Sequence, residues 1–204
     1  MLIIFLALFF FIGGNLKFIN SVIENYSSFG IGADFGFLYF NENDPFLFTV
    51  LVRNIGYQVS AYDEIRENLP LQVELGAAYE MENVPIKWHF TLDNLQQWNI
   101  AVSNPSNSST DFDGNETEEE ITFLNNAFRH LSVGAEFFPK SVFNIRLGYN
   151  FRRASELKLI NTRTFSGFTA GFGLNFNNFS FNYAFTKYHP ASNTSTFSLQ
   201  IDLN

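Results

Sequence analysis

Residues Thr164 to Leu203 read T-F-S-G-F-T-A-G-F-G-L-N-F-N-N-F-S-F-N-Y-A-F-T-K-Y-H-P-A-S-N-T-S-T-F-S-L-Q-I-D-L. Phe168, Ala170, Phe172, Leu174 and Phe176 share one parity, against Gly167, Thr169, Gly171, Gly173 and Asn175. After Asn177-Asn178, which has turn composition, Phe179, Phe181, Tyr183 and Phe185 alternate with Ser180, Asn182, Ala184 and Thr186. Phe197, Leu199, Ile201 and Leu203 then oppose Ser198, Gln200 and Asp202. A period of two puts alternate side chains on opposite faces of a β-strand. One face here is aromatic and the other is glycine, amide and hydroxyl.

The same pattern spreads outward. Phe143, Ile145, Leu147, Tyr149 and Phe151 alternate with Asn144, Arg146, Gly148, Asn150 and Arg152. Lys140-Ser141 reads as a short turn, and Phe128–Phe138 as a strand before it. Asn104–Glu120, rich in Ser, Asn, Asp and Glu, reads as a long mobile acidic loop that buries no core. Leu71–Glu80 and Ile86–Leu92 are strands on either side of a turn at Met81–Pro85. Leu95–Ser103 is either a continuation of the second after a bend or an extension beyond it. Phe46–Asn54 is a strand followed by a polar segment to Pro70. Phe29–Phe40 sets its Phe parity against Gly30, Gly32, Asp34 and Gly36. Gly14–Val22 alternates less cleanly. The apolar run Leu2–Ile12 is too short for a spanning helix. It has the length of a signal-peptide core without the charged start or small-residue cleavage site; a strand is the other reading. The count is about ten strands, or eleven with this run, joined as successive hairpins in one domain over residues 1–204.

Composition narrows the function. The 204 residues include 27 Phe and 8 Tyr but no Cys, and the formal charge is −8. No cysteine can form a disulfide or ligate a metal. An acidic chain is ill suited to wrapping nucleic acid phosphate. Alternation alone allows a soluble sandwich with a Phe core, or a membrane β-barrel with its Phe face on lipid. Three features favour the membrane: glycines on the polar parity, charges gathered in connections, and short turns contrasting with long loops. Several strands also have the 9–11 residues needed to cross a bilayer at a tilt.

No motif for chemistry stands out. Asp111-Phe112-Asp113-Gly114-Asn115 matches part of a calcium loop, with its glycine two positions early, and reads as a solvated acidic loop. Gly30-x-Gly32 and Gly171-x-Gly173 follow strand parity and open no helix, unlike a dinucleotide fingerprint. His89, His130 and His189 lack metal-ligand spacing, and no nucleophile elbow is present. No cofactor is expected. Arg146 and Arg152 share the polar parity of one strand, with Arg153 beside them, and are expected to face a lumen: either they form an anion-attracting or partner-contacting strip or, the preferred reading, they pair with lumen carboxylates such as Asp34 or Glu74.

Several segments taken together resemble a known family. They are R-N-I-G-Y-Q (Arg53, Asn54, Gly56 and Gln58 within it), E-N-L-P (Glu67–Pro70, with Leu69), and R-H-L-S-V-G-A-E-F-F-P (Arg129–Pro139). To these add N-I-R-L-G-Y-N-F-R-R-A-S-E-L (Asn144–Leu157, with Arg146, Gly148, Tyr149, Arg152, Arg153 and Glu156). T-F-S-G-F-T-A-G-F-G, with Gly171 and Gly173, and K-Y-H-P-A, with Tyr188 and His189, complete the set. In order and spacing it resembles the PorV/PorQ family of FadL-like outer-membrane β-barrels of the Bacteroidota type IX secretion system, most closely its PorQ branch. The resemblance covers most of the chain. It implies a non-enzymatic outer-membrane subunit that docks partners of the PorZ, PorU and PorV type for protein secretion and surface anchoring. It also implies an incomplete barrel, since a FadL-like barrel has about fourteen strands, so that Leu2–Ile12 is a strand remnant. Two other functions fit the pattern: a FadL-like transporter of hydrophobic small molecules, and a soluble β-sandwich binding module.

Overall fold

The structure is a computed structural model that describes residues 2–7, 9–24, 26–61, 66, 68–110, 116–117, 119–159, 165–189 and 191–202. Among the described residues eleven strands follow one another in chain order in an open antiparallel sheet. They are β1 (Leu2–Ala7), β2 (Phe10–Ile23), β3 (Tyr26–Phe40), β4 (Phe46–Ser60), β5 (Gln72–Glu80), β6 (Ile86–Leu92), β9 (Leu131–Phe137), β10 (Phe143–Asn150), β11 (Phe168–Asn175), β12 (Phe179–His189) and β13 (Ser192–Ile201). A separate two-residue ladder joins β7 (Ser109–Thr110) to β8 (Glu116–Thr117). Two short helices are inserted, α1 (Phe123–Arg129) and α2 (Phe151–Glu156). The edges of the sheet are β1 and β13, and closure into a barrel is not seen. The chain groups into two compact units, residues 1–77 with 92–96, and 78–91 with 97–204.

In the first unit the apolar N-terminal run is not one segment. It divides into β1 and the start of β2, which pair from Leu2 with Gly14 to Ala7 with Phe10. β4 also runs further than its alternation suggests. Ala33 pairs with Ile55 but Phe35 with Val52, so Arg53 and Asn54 together oppose Asp34. Asn54 takes a positive φ of 59°, a conformation that asparagine tolerates better than most residues. This bulge shifts the parity by one. Phe48, Val50 and Val52 lie on the apolar face before it, and Ile55 and Tyr57 after it. The motif that reads as the end of a strand is therefore its middle.

The second unit shows the register plainly. Glu136, Arg146, Gly171, Ala184 and Thr196 form one cross-strand row, and Phe137, Ile145, Phe172, Tyr183 and Phe197 the next. Each row lies wholly on one face, as a period of two requires. Phe128 and Arg129, expected in a strand, belong to α1. Arg152 and Arg153, expected on the strand of Arg146, belong to α2. The cause is Asn150, whose side-chain oxygen accepts from the Arg153 N–H at 2.8 Å and caps a helix where the alternation would continue. Leu95–Ser103 does not continue the strand; it is an irregular segment beyond β6.

Among the described residues neither unit shows a buried apolar core. Among the described residues the only buried apolar side chains are Ala78 and Ile100. Phe18 remains 75 % exposed and Phe197 66 %. The aromatic face is uncovered, whereas cores of water-soluble sheets bury that face against a second layer.

Candidate functional site

Connections in an antiparallel meander alternate between the two ends of the strands. In the second unit one end carries the short turns Met81–Pro85, Phe138–Val142 and Phe176–Asn178. The long connections, residues 97–130 and 151–167, leave from the other end, which also holds the two-residue step from β12 to β13. The described parts of these long connections fold against each other.

Asn104 is the node. It is 7 % exposed. Its side-chain nitrogen lies 2.8 Å from Ser155 O, 3.1 Å from Glu156 O and 3.1 Å from Lys158 O. Ser155 and Glu156 are the last residues of α2, whose carbonyls have no partner within the helix; Lys158 O, just beyond it, also accepts from Ser106 Oγ at 2.8 Å. Its side-chain oxygen accepts from the Ser106 N–H at 2.9 Å and caps the 3-10 turn Pro105–Asn107. Its backbone N–H donates to Glu119 Oε2 at 3.1 Å. The acidic loop is thus anchored at both described ends. Asp111–Asn115, with the partial calcium pattern and Phe112, lie outside the described residues.

Glu119 lies 3.5 Å from the Arg129 guanidinium, which is 4.0 Å from Glu156. Arg129 is only 2 % exposed. Burial pushes the Glu119 carboxyl up. Hydrogen bonds from Asn107 and the Asn104 N–H, with the charges of Arg129 and Lys158, outweigh it and hold the group below its ordinary value. Beside them Asn126 accepts from the Ile100 and Ala101 N–H groups, and its amide donates to Trp98 O. His130 Nε2 lies 2.9 Å from Trp98 O, and its ring stacks on Trp98 at 5.1 Å. These polar side chains add partners to the backbone of residues 98–101, where Ile100 N–H also donates to Trp98 O at 3.1 Å.

A cleft of about 740 Å³ opens along this assembly, lined by Val102, Asn104, Glu156, Lys158, Leu159 and His189. Arg153 lies 4.2 Å over the ring of Tyr188, a cation–π contact. Arg152 bonds Glu156 at 3.0 Å, four residues on. Four of the motif residues, Arg153, Glu156, Tyr188 and His189, therefore converge at this end of the second unit. Asn104, Glu119, Asn126 and Trp98 were not singled out from the sequence. The Asn104-Pro105 pair is a turn-initiating signal that marks one of them.

The polar face carries its own network. Glu136 accepts from Arg146 Nε at 3.0 Å, Arg146 Nη1 donates to Asn182 Oδ1 at 2.9 Å, and His89 Nε2 lies 3.6 Å from Glu136. Arg146 is thus paired on the expected face, but with Glu136 rather than Glu74 or Asp34. Those two sit in the first unit, Glu74 3.2 Å from Arg53 and Asp34 2.8 Å from Lys17. Arg152 does not share the strand of Arg146, because it lies in α2. Among the described residues no group of three or more His, Cys, Asp or Glu side chains is placed to hold a metal ion.

The first unit brings two further motifs together. Asn68–Pro70 runs beside β4, where Asn68 bridges antiparallel to Tyr57: Leu69 N–H donates to Gly56 O at 3.2 Å, and Asn54 Nδ2 donates to Pro70 O at 3.0 Å. Leu69 Cδ1 would lie 2.7 Å from a Cβ on Gly32, so glycine there makes room for this strap. Glu67 lies outside the described residues. Comparison with family models, with curated proteins and with solved structures returns no match for this chain.

Proposed function

We propose that this chain is the wall of an outer-membrane β-barrel, with the Phe face on lipid, acting as a non-enzymatic docking subunit of a type IX secretion system. The observation that carries this reading is the pairing of an uncovered aromatic face with long connections gathered at one strand end into an ordered, hydrogen-bonded platform. Membrane barrels divide short turns from long outer loops in this way, and binding residues concentrate in loops held by a rigid scaffold. The docking face is the cleft of Asn104, Glu156, Lys158 and His189. The motif resemblance supports a PorQ-like role, with PorZ as direct partner and PorU and PorV reached through it, at the surface of a Bacteroidota cell. No step needs a cofactor.

Deletion of the gene tests this. Cargo should lose its surface anchoring, and a tagged barrel should capture PorZ unless the segment between Asn104 and Glu120 is shortened. Intact anchoring in the deletion strain would overturn the reading.

One observation favours a second reading, a transporter of hydrophobic small molecules. The first unit holds a hollow of about 490 Å³ on its polar side, lined by Phe11, Leu38, Thr49 and Leu51 beside Gly13 and Gly36. Loss of uptake of an apolar nutrient, with anchoring unchanged, would favour it.

A further inference from the structure

Helix α1 is amphipathic the wrong way round for water. Its inward side carries Asn126, 4 % exposed, and Arg129, 2 % exposed. Its outward side carries Phe123, 70 % exposed, Leu124, 66 % exposed, and Phe128, 50 % exposed. A surface helix in water turns its apolar stripe inward. The inversion means that the medium outside α1 is apolar. We propose that α1 lies on the membrane, its outward face seated at the boundary between headgroups and acyl chains.

Continuity favours lipid over a protein partner. Phe128 packs on Phe151 at 5.5 Å, and Phe151 packs edge-on against Tyr149 at 5.0 Å. Tyr149 pairs with Phe168 on the aromatic face of the sheet. The outward face of α1 therefore prolongs the surface already assigned to lipid, and this inference rests on that assignment. Trp98 packs against Phe123 at 5.1 Å, an aromatic at the level where membrane proteins concentrate tryptophan. The exposed Asn125 and Glu120, joined at 3.3 Å, keep the helix at the interface rather than in hydrocarbon.

The chain has no cysteine, so single-cysteine variants carry a fluorophore without background. Leu124→Cys, Leu147→Cys and Ser108→Cys are to be folded into phosphatidylcholine vesicles containing spin-labelled lipid. Phe128→Cys serves as a second position on α1. Emission at 124 and 128 should shift to the blue and lose most of its intensity to labels near the headgroup. Position 147 should respond to labels deep in the chains, and position 108 to neither. Quenching at 147 without quenching at 124 and 128 would overturn the helix proposal and leave the membrane wall standing. Quenching at none of them would overturn both.

Discussion

Replacing Asn104 by alanine should loosen the loop platform while leaving the strands paired. The side-chain nitrogen has two hydrogens and three carbonyl oxygens within 3.1 Å, so it supplies two bonds at a time. The oxygen supplies a third to Ser106 N–H. At about 1 kcal/mol net for each, Asn104→Ala should cost about 3 kcal/mol of local stability. That corresponds to roughly a hundredfold faster amide exchange if the platform opens as a unit. Asn104→Asp is nearly isosteric, but it sets a carboxylate against carbonyls that need donors, so it should cost more than alanine. The assay is hydrogen exchange on the full chain in lipid vesicles, read at residues 100–107 and 155–159 and compared with β10 to β12. Aspartate milder than alanine, or exchange unchanged in both, would refute the role assigned to Asn104.

Three further outcomes follow from the faces, the glycines and the charges. Leu147→Arg, on the aromatic face, should cost about 2–4 kcal/mol if it sits at the bilayer midplane, and Ala184→Arg on the opposite face less; a folding titration giving the reverse order means the faces are exchanged. Gly148 is a poor control for that comparison, because a Cβ there would lie 2.5 Å from Thr169 Oγ1. Gly56→Ala should destabilise by about 1–3 kcal/mol, since the new Cβ would fall onto Ile31 O and 2.6 Å from Gly32 Cα. Gly30→Ala, whose nearest atom is 3.6 Å away, should be tolerated, and equal midpoints in urea would count against the close approach. Glu119 is held below its ordinary carboxyl value of 4.5, so its contribution is present above that value and disappears as pH falls through the lower folded value. Amide protection of residues 104–107 should fall in that acid window, and Glu119→Gln should flatten the dependence.

Much of the sheet was legible because its signal is local. Ile86–Leu92 appears with the bounds its alternation gives, and the hairpin around Asn177-Asn178 keeps its parity across both strands. What stayed hidden depends on groups far apart in sequence or on a single side chain. The bulge at Asn54 reverses parity and so looks like an ending. Helix α2 begins within an alternating run because one Asn150 oxygen caps it. Helix α1 shows no inward apolar stripe, the feature by which helices are found, since its inward residues are Asn126 and Arg129. The platform reads as solvated loop in the sequence because its contacts are polar, and polar composition is also what disorder looks like.

Asn104 and its carbonyl partners are separated by 51 to 54 residues. Between them lie α1, β9, β10 and most of α2. Closing so long an interval has an entropic cost that local hairpins do not share. On that argument the platform is expected to form after the strands that bring its two halves together. A partner that docked there would engage only chains whose wall had already been built, so the docking face would double as a maturity signal.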